Sequence, residues 1–270
     1  MDKEEKQKYI HEIKTQCPPS LNTKYYCRNV DKYVEDREIA FDLFRFLMDP
    51  DKIKRPMLRN ERSSEIFGHE KYLTNDGKGT KVLSHFGVKF DDIPAFLNIR
   101  ESYEPIPHFT IDRHTPQTML VIENKEPFCS IRELLIEGQS SIFGHKISTL
   151  LYGGGRHYET EFVTELEKVG EPCILDENNT ILYFGDLDYV GIDIYDSFKN
   201  NRENVIPFVE AYRLLLKCSY FPKCEKNQSP CDVSEFLSHF HEDEQEKIKE
   251  ILEDGRYAPQ EFLNYYDYKE

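Results

Sequence analysis

No apolar run in this 270-residue chain approaches the roughly 20 residues needed to span a bilayer. The N-terminus, MDKEEKQKYIHEIKTQ, is charged and holds no apolar h-region. Neither membrane insertion nor export is therefore expected, and the cytoplasm is the expected compartment. A disulfide framework is lacking too. The seven cysteines, at 17, 27, 129, 173, 218, 224 and 231, are odd in number and scattered, which fits reduced thiols. None of them forms the short C-x₂₋₄-C knuckle of a structural zinc site. The nearest approach is Cys218, Cys224 and Cys231 with His239 and His241, a candidate that the spacing argues against. Also missing is any excess of positive charge. A formal net charge of −15 counts against a protein that holds DNA by itself, because Lys and Arg at phosphates supply most non-specific affinity. One dense basic stretch, Lys52, Lys54, Arg55, Arg59 and Arg62, could offset this locally; its plainer reading is a solvated helix face.

What is present is an ordinary folded composition, 39% hydrophobic and 31% charged, in a chain long enough for one large domain or two modest ones. Two are expected, a mainly helical module over 1–115 and an α/β domain over 116–270. From Glu38 to Met48 the apolar residues Ile39, Ala40, Leu43, Phe44 and Leu47 keep helical spacing, and Pro50 stops the pattern. Further on, Val82, Leu83 and Phe86 share one helical face, with Gly87 suited to the position just past its end. Several short helices in sequence predict a winged-helix-like or generic helical module. Residues 101 to 117, with Pro105, Pro107 and Pro116, read as linker or β-edge.

After residue 117 strand and helix alternate. TMLVIEN, KISTLLYGGG and TILYFGDLD are apolar runs of strand length. Between and after them lie helical patterns: Pro127 near a helix start with Phe128, Ile131, Leu134 and Leu135 on one face; Phe162, Val163, Leu166 and Val169 closed by Gly170; and YVGIDIYDSFKN. A short VIPFV run and a helical AYRLLLKC follow. Strands apolar throughout mark a parallel sheet covered on both faces. The tail from Asp232 is acidic and helical, its YAPQEFLNYY end could dock back on the sheet, and it shows no motif that carries chemistry.

Ligands of open parallel sheets bind outside the carboxyl ends of the strands. Three such ends are distinctive: Glu123-Asn124-Lys125, Gly153-Gly154-Gly155 and Gly185-Asp186-Leu187-Asp188. Residues two apart in an extended segment point the same way, so Asp186 and Asp188 are expected to serve one point. That suits Mg²⁺, which is held by one or two carboxylates, waters and phosphate oxygens. Glu123 would add a ligand or act as general base, and a cation would relieve the repulsion among the three. Gly191 allows a tight turn into the next helix, while Gly153 to Gly155 would let the main chain approach a phosphate. Taken singly, these are a helix cap, a solvent-facing acid and a flexible turn. Their order at successive strand ends makes the set specific.

VIENKEPF, LYGGG and YFGDLDYVGIDIYDSF together resemble the Toprim domain of the JetD subunit of Wadjet-type plasmid-defence systems. RSSEIFGHEKYL with VLSHFG is similar to the segment preceding Toprim in that family. The resemblance covers roughly residues 60 to 200, and it extends distantly to the topoisomerase VI A subunit, which couples Toprim to a winged helix. It implies a Toprim-like, mostly parallel sheet with flanking helices and a metal-dependent DNA endonuclease. Glu123 would be the acid/base with Lys125 beside it in the catalytic set. Glu123, Asp186 and Asp188 would hold Mg²⁺, replaceable by Mn²⁺, and Gly185 would join the other glycines at the phosphate. The implied partners are DNA, SMC-like and kleisin defence-complex subunits and, in one arrangement, a second copy of the chain. An N-terminal arm of the longer relatives is expected to be absent or reduced here, which sets the implied coupling to the motor complex in question.

Other readings compete. In the topoisomerase branch a tyrosine attacks the phosphodiester, and Tyr25 or Tyr26 could take that role, although packing is the plainer reading among 17 tyrosines. A haloacid-dehalogenase-like phosphatase also uses DxD, but wants Thr or Val where Tyr189 follows Asp188. A glycosyltransferase lacks its expected nucleotide-binding portion upstream. A non-catalytic assembly subunit, docking a basic partner on an acidic surface, is the reading from a different class.

Overall fold

Aspartate caps start two of the first four helices. Asp2 accepts from the Glu5 N–H at 2.8 Å and opens α1 (Lys3–Gln16). After α2 (Lys24–Arg28) comes α3 (Val30–Leu47), the helix expected from residue 38. It begins earlier because Val30 and Tyr33 continue its buried face, a continuation masked in the sequence by the charged residues between them. Asp49 caps α4 (Pro50–Ile53), with Pro50 in the first turn where no N–H is needed. The structure, a computed structural model, describes residues 1–103, 105–154, 166–168, 170–225 and 228–269. It divides into two units, Met1–Ser102 and Tyr103–Glu270.

The first unit continues through β1 (Met57–Leu58), α5 (Arg59–Phe67), α6 (Lys78–His85), α7 (Ile93–Phe96) and β2 (Ile99–Arg100). Its core is Tyr26, Tyr33, Leu43, Leu83, Phe86 and Ile93 with their neighbours. β1 and β2 form a two-residue parallel pair, and the unit has no antiparallel hairpin of the kind a wing requires. It is a helical unit. The basic stretch does not survive as a patch. Arg62 is fully buried, paired with Glu65, bonded to the carbonyls of Lys52 and Arg55, and stacked 4.9 Å over Phe46. Arg59 donates to the Leu73 carbonyl and lies over Phe90. Two of its five cations are thus structural. Tyr26 is equally committed: its buried hydroxyl donates to Asp36 at 2.8 Å and meets His85 Nδ1 at 3.1 Å. Tyr25 stacks on the same imidazole at 4.3 Å.

The second unit is built on one sheet with strand order β3 (His108–Thr110), β7 (Thr149–Tyr152), β4 (Thr118–Ile122), β8 (Thr180–Phe184) and β9 (Val205–Pro207). Only β3 is antiparallel. It lies in the proline-containing stretch before residue 117. Residues Met119–Ile122 and Ile181–Phe184 are almost completely buried, as apolar-throughout strands demand, and the expected mostly parallel sheet is present. The flanking helices are α8 (Lys125–Ile136), α9 (Pro172–Leu175), α10 (Tyr189–Asn201), α11 (Val209–Leu215), α12 (Ser234–Leu237), α13 (Glu242–Glu253) and α14 (Tyr265–Tyr268). The run read as one strand over 146–155 is divided: β5 (Ser141–Ile142) and β6 (His145–Lys146) make a small hairpin ahead of β7. Phe162, Val163 and Val169 of the expected helix before Gly170 lie outside the described residues.

Connectivity creates the crevice. From β4 the chain passes through α8 to β7 on one side; it then returns past β4 to β8 and moves outward to β9 on the other. The loops leaving β4 and β8 therefore run in opposite directions, which opens a space outside the carboxyl ends of these paired strands. Among the described residues no helix is long and apolar enough to cross a membrane.

Candidate active site

Register places the acidic residues. Ile122 pairs with Phe184, and the Glu123 N–H donates to the Phe184 carbonyl at 3.1 Å, so Glu123 and the Gly185–Asp186 step leave the sheet side by side. Tyr183, fully buried beneath them, donates its hydroxyl to Glu123 Oε2 and to the Gly191 carbonyl, each at 3.2 Å. Burial pushes this phenol far above its ordinary pKa, so it remains a donor. Gly185 exists to make room: a Cβ there would lie 2.6 Å from Glu123 Oε2 and 2.5 Å from Tyr183 Oη. Its N–H donates to Tyr212 Oη at 2.9 Å. At Gly191 a Cβ would lie 2.2 Å from the Asp186 carbonyl oxygen, so only glycine lets the start of α10 pass this close.

The two aspartates have different environments. Asp186 Oδ1 accepts from Asn124 Nδ2 at 3.1 Å and from the Gln260 N–H at 2.8 Å, which leaves Oδ2 for a ligand. Asp188 is the N-cap of α10: Oδ1 accepts from the Gly191 N–H at 2.7 Å and Oδ2 from Gln228 Nε2 at 2.6 Å. Each of its oxygens thus accepts from a protein donor, so Asp188 is committed to holding the start of α10. Among the described residues no three His, Cys, Asp or Glu side chains form a group that could hold a metal ion. That covers the cysteine and histidine candidates as well: Cys231 donates to the Tyr189 carbonyl, and His239 meets Tyr195 and Glu235.

Electrostatics act on Glu123 and Asp186 together. Burial, with the charges of Asp186 and Asp188 behind it, lifts the Glu123 carboxyl from 4.5 to about 7. Burial and the nearby Glu261 and Asp188 lift Asp186 to about 6 against the opposing hydrogen bonds from Gln260 and Asn124. Two carboxyls held protonated to unusually high pH by lost hydration and like charge are poised for proton transfer or for a cation.

The glycine triplet has another use than expected. The Gly153 N–H donates to the Ile122 carbonyl at 2.7 Å and the Gly154 N–H to the Glu123 carbonyl at 3.1 Å, so these two N–H groups extend the ladder to β4 and are unavailable to a phosphate. Gly154, at φ +80°, turns the chain away. Gly155 lies outside the described residues. Lys125 is exposed in the first turn of α8, beside Glu123 in sequence.

The tail docks on the sheet as its sequence suggested, but sequence reasoning missed its part in the site. Leu187 and Ala258 form an antiparallel bridge, which brings Gln260 across the ends of β4 and β8. Its buried amide accepts from the Asn124 N–H at 2.8 Å and donates to the Phe184 carbonyl. Glu261 follows, with Asn124 Nδ2 at 3.5 Å from its carboxylate. The sequence signal was one amide among three, Gln245, Gln260 and Asn264, in an acidic, aromatic tail; nothing local distinguishes it from a surface glutamine.

No curated protein matches the chain. The family described as Wadjet protein JetD, C-terminal, matches it over residues 87–265, a stretch that takes in the sheet, both aspartates and the Gln260 segment. The chain belongs to the Wadjet protein JetD, C-terminal, family.

Proposed function

We propose that the chain is the metal-dependent DNA-cleaving subunit of a Wadjet defence complex, acting through a Toprim-type site at the ends of β4 and β8. The observation that carries this is the pair Glu123 and Asp186, adjacent across two parallel strands, both with raised carboxyl pKa. The donor chemistry fits Mg²⁺, or Mn²⁺ in its place: two oxygen-bearing groups suffice for an ion that keeps waters and takes phosphate oxygens. Glu123 and Asp186 would hold it, and Asp188, as the cap of α10, would fix the loop that presents Asp186. Bound there, the ion supplies positive charge beside a scissile phosphate. Glu123 would take the proton from the attacking water, with Tyr183 keeping its carboxyl in place.

A net charge of −15 favours DNA being held by SMC-like and kleisin partners and leaves this chain to cut. The same charge favours the rival reading, a non-catalytic assembly subunit. Supercoiled plasmid with Mg²⁺ or Mn²⁺, offered to the protein alone and with its partner subunits, separates them. Metal-dependent nicking or linearisation is expected, and Asp186→Ala should abolish it. Cleavage that persists in that variant sinks the catalytic assignment, whereas no cleavage under any of these conditions supports the assembly role.

A further inference from the structure

We infer that Gln260, from the C-terminal segment, is a positioning residue for the metal-binding pair, an inference that rests on the proposed reading of Glu123 and Asp186 as that pair. Gln260 is fully buried and touches both strand ends through three hydrogen bonds. Its side-chain oxygen takes the Asn124 N–H, directly after Glu123; its side-chain nitrogen serves the Phe184 carbonyl, two residues before Asp186; its own backbone N–H holds Asp186 Oδ1. One residue therefore sets the spacing between the segments that carry the two carboxylates and also orients one of them. The Leu187–Ala258 bridge, with N···O distances of 2.9 and 3.2 Å, anchors the segment on the Asp186 side. Asn124 closes the ring by donating its side-chain amide to the same Asp186 oxygen.

The chemistry of an amide suits this place. Glutamine offers a donor and an acceptor without charge, so it bridges an N–H and a carbonyl beside two carboxyls that already repel one another. A carboxylate in its position would face the Phe184 carbonyl without a proton to give and would add a further negative charge. An apolar chain of equal size would fill the space and drop both bridging bonds, leaving the Asn124 N–H and the Phe184 carbonyl to readjust. Removing a group that orients a metal ligand through hydrogen bonds costs about 10- to 100-fold in metal affinity or activity.

The test is Mn²⁺ binding to the full chain, followed by the electron paramagnetic resonance of free Mn²⁺, with thermal melting alongside. Gln260→Met keeps the backbone N–H on Asp186 Oδ1 and loses both bridging bonds that set the strand spacing, so binding should weaken by about 10-fold, the low end of that range. The control is Gln117→Met, which removes an equally buried amide from the opposite end of β4; it should lower the melting temperature and leave Mn²⁺ affinity within about twofold, well short of that loss. Gln260→Asn, which keeps the amide on a shorter arm, should recover part of the loss. If Gln260→Met binds Mn²⁺ like the parent protein, or Gln117→Met weakens binding just as much, Gln260 is an ordinary core residue and the inference falls. If the parent protein binds no Mn²⁺, or binds it undiminished in Asp186→Asn, the reading of the pair fails and takes this inference with it.

Discussion

At the two ends of β4 and β8 the same sheet buries polar groups in opposite ways. The amino end carries Gln117, Asn179 and Thr149, all buried and all neutral. Gln117 N–H donates to Asn179 Oδ1 at 2.8 Å, its side-chain nitrogen to the Cys173 carbonyl at 2.8 Å, and Thr149 Oγ1 to its side-chain oxygen at 2.7 Å. Asn179 adds a second donor to the Cys173 carbonyl at 2.7 Å. At the carboxyl end one buried amide, Gln260, stands beside two half-buried acids, Glu123 and Asp186, whose ordinary charge the site opposes. A satisfied neutral network only adds stability and definition to the fold. An acidic pair kept against its own repulsion lowers stability, and that cost is characteristic of sites kept for chemistry.

The largest test of this contrast is a change of sign. Glu123→Gln should reduce cleavage by about 100-fold or more, the size of a general-base contribution, while raising the melting temperature. The pH dependence follows from the raised pKa. Between 4.5 and about 7 the folded protein holds the Glu123 proton and the unfolded chain has released it, so this group's contribution to stability falls as pH rises through that window. Parent and variant should therefore melt alike below 4.5 and diverge to a constant gap above about 7. Gln117→Met should do the reverse: cleavage unchanged, stability down by about 1–3 kcal/mol from unpaired buried groups. A Glu123→Gln protein that melts lower than its parent above neutral pH would break the comparison.

A second, smaller effect sharpens it at Gly185. The three atoms nearest the added Cβ of Gly185→Ala belong to the ends of two side chains, Glu123 and Tyr183, so the fold should hold while the carboxyl is displaced. Misplacement on the ångström scale can lower turnover on the order of 100-fold. Gly191→Ala instead meets the backbone of Asp186 and should cost both activity and melting temperature. If circular dichroism melts show Gly185→Ala as damaging to stability as Gly191→Ala, the space beside Glu123 serves packing rather than the placement of a carboxyl.

Much of this was legible in the sequence, for identifiable reasons. Strands apolar at every position announce a covered parallel sheet, and the acids immediately after them, Glu123 and Asp186, fall where such sheets bind ligands. What the sequence hid depends on contacts between distant positions. Arg62 reads as part of a basic run until Phe46 and Glu65 are packed against it. Asp188 reads as a twin of Asp186 until its oxygens are found on Gly191 and Gln228. Gln260 is 74 residues from Asp186, whose carboxylate its N–H holds, and no periodicity or motif connects the two.

Lys125 gives the smallest of these effects and the finest division of the site. It follows Glu123 and Asn124, yet its side chain is exposed in the first turn of α8, whereas Asn124 is bonded to Asp186 and the Asn124 N–H to Gln260. A flexible ammonium in water is a weak device for orienting a reacting atom but an adequate one for meeting a phosphate. Lys125→Ala should then raise the KM for DNA, leave Mn²⁺ affinity and kcat near the parent values, and make the dependence of log affinity on log salt shallower by about 0.9, one duplex phosphate contact. A fall in kcat with KM unchanged would instead bring Lys125 to the reacting phosphate, and the chemically active end of the sheet would then extend beyond its buried carboxyls to the exposed first turn of α8.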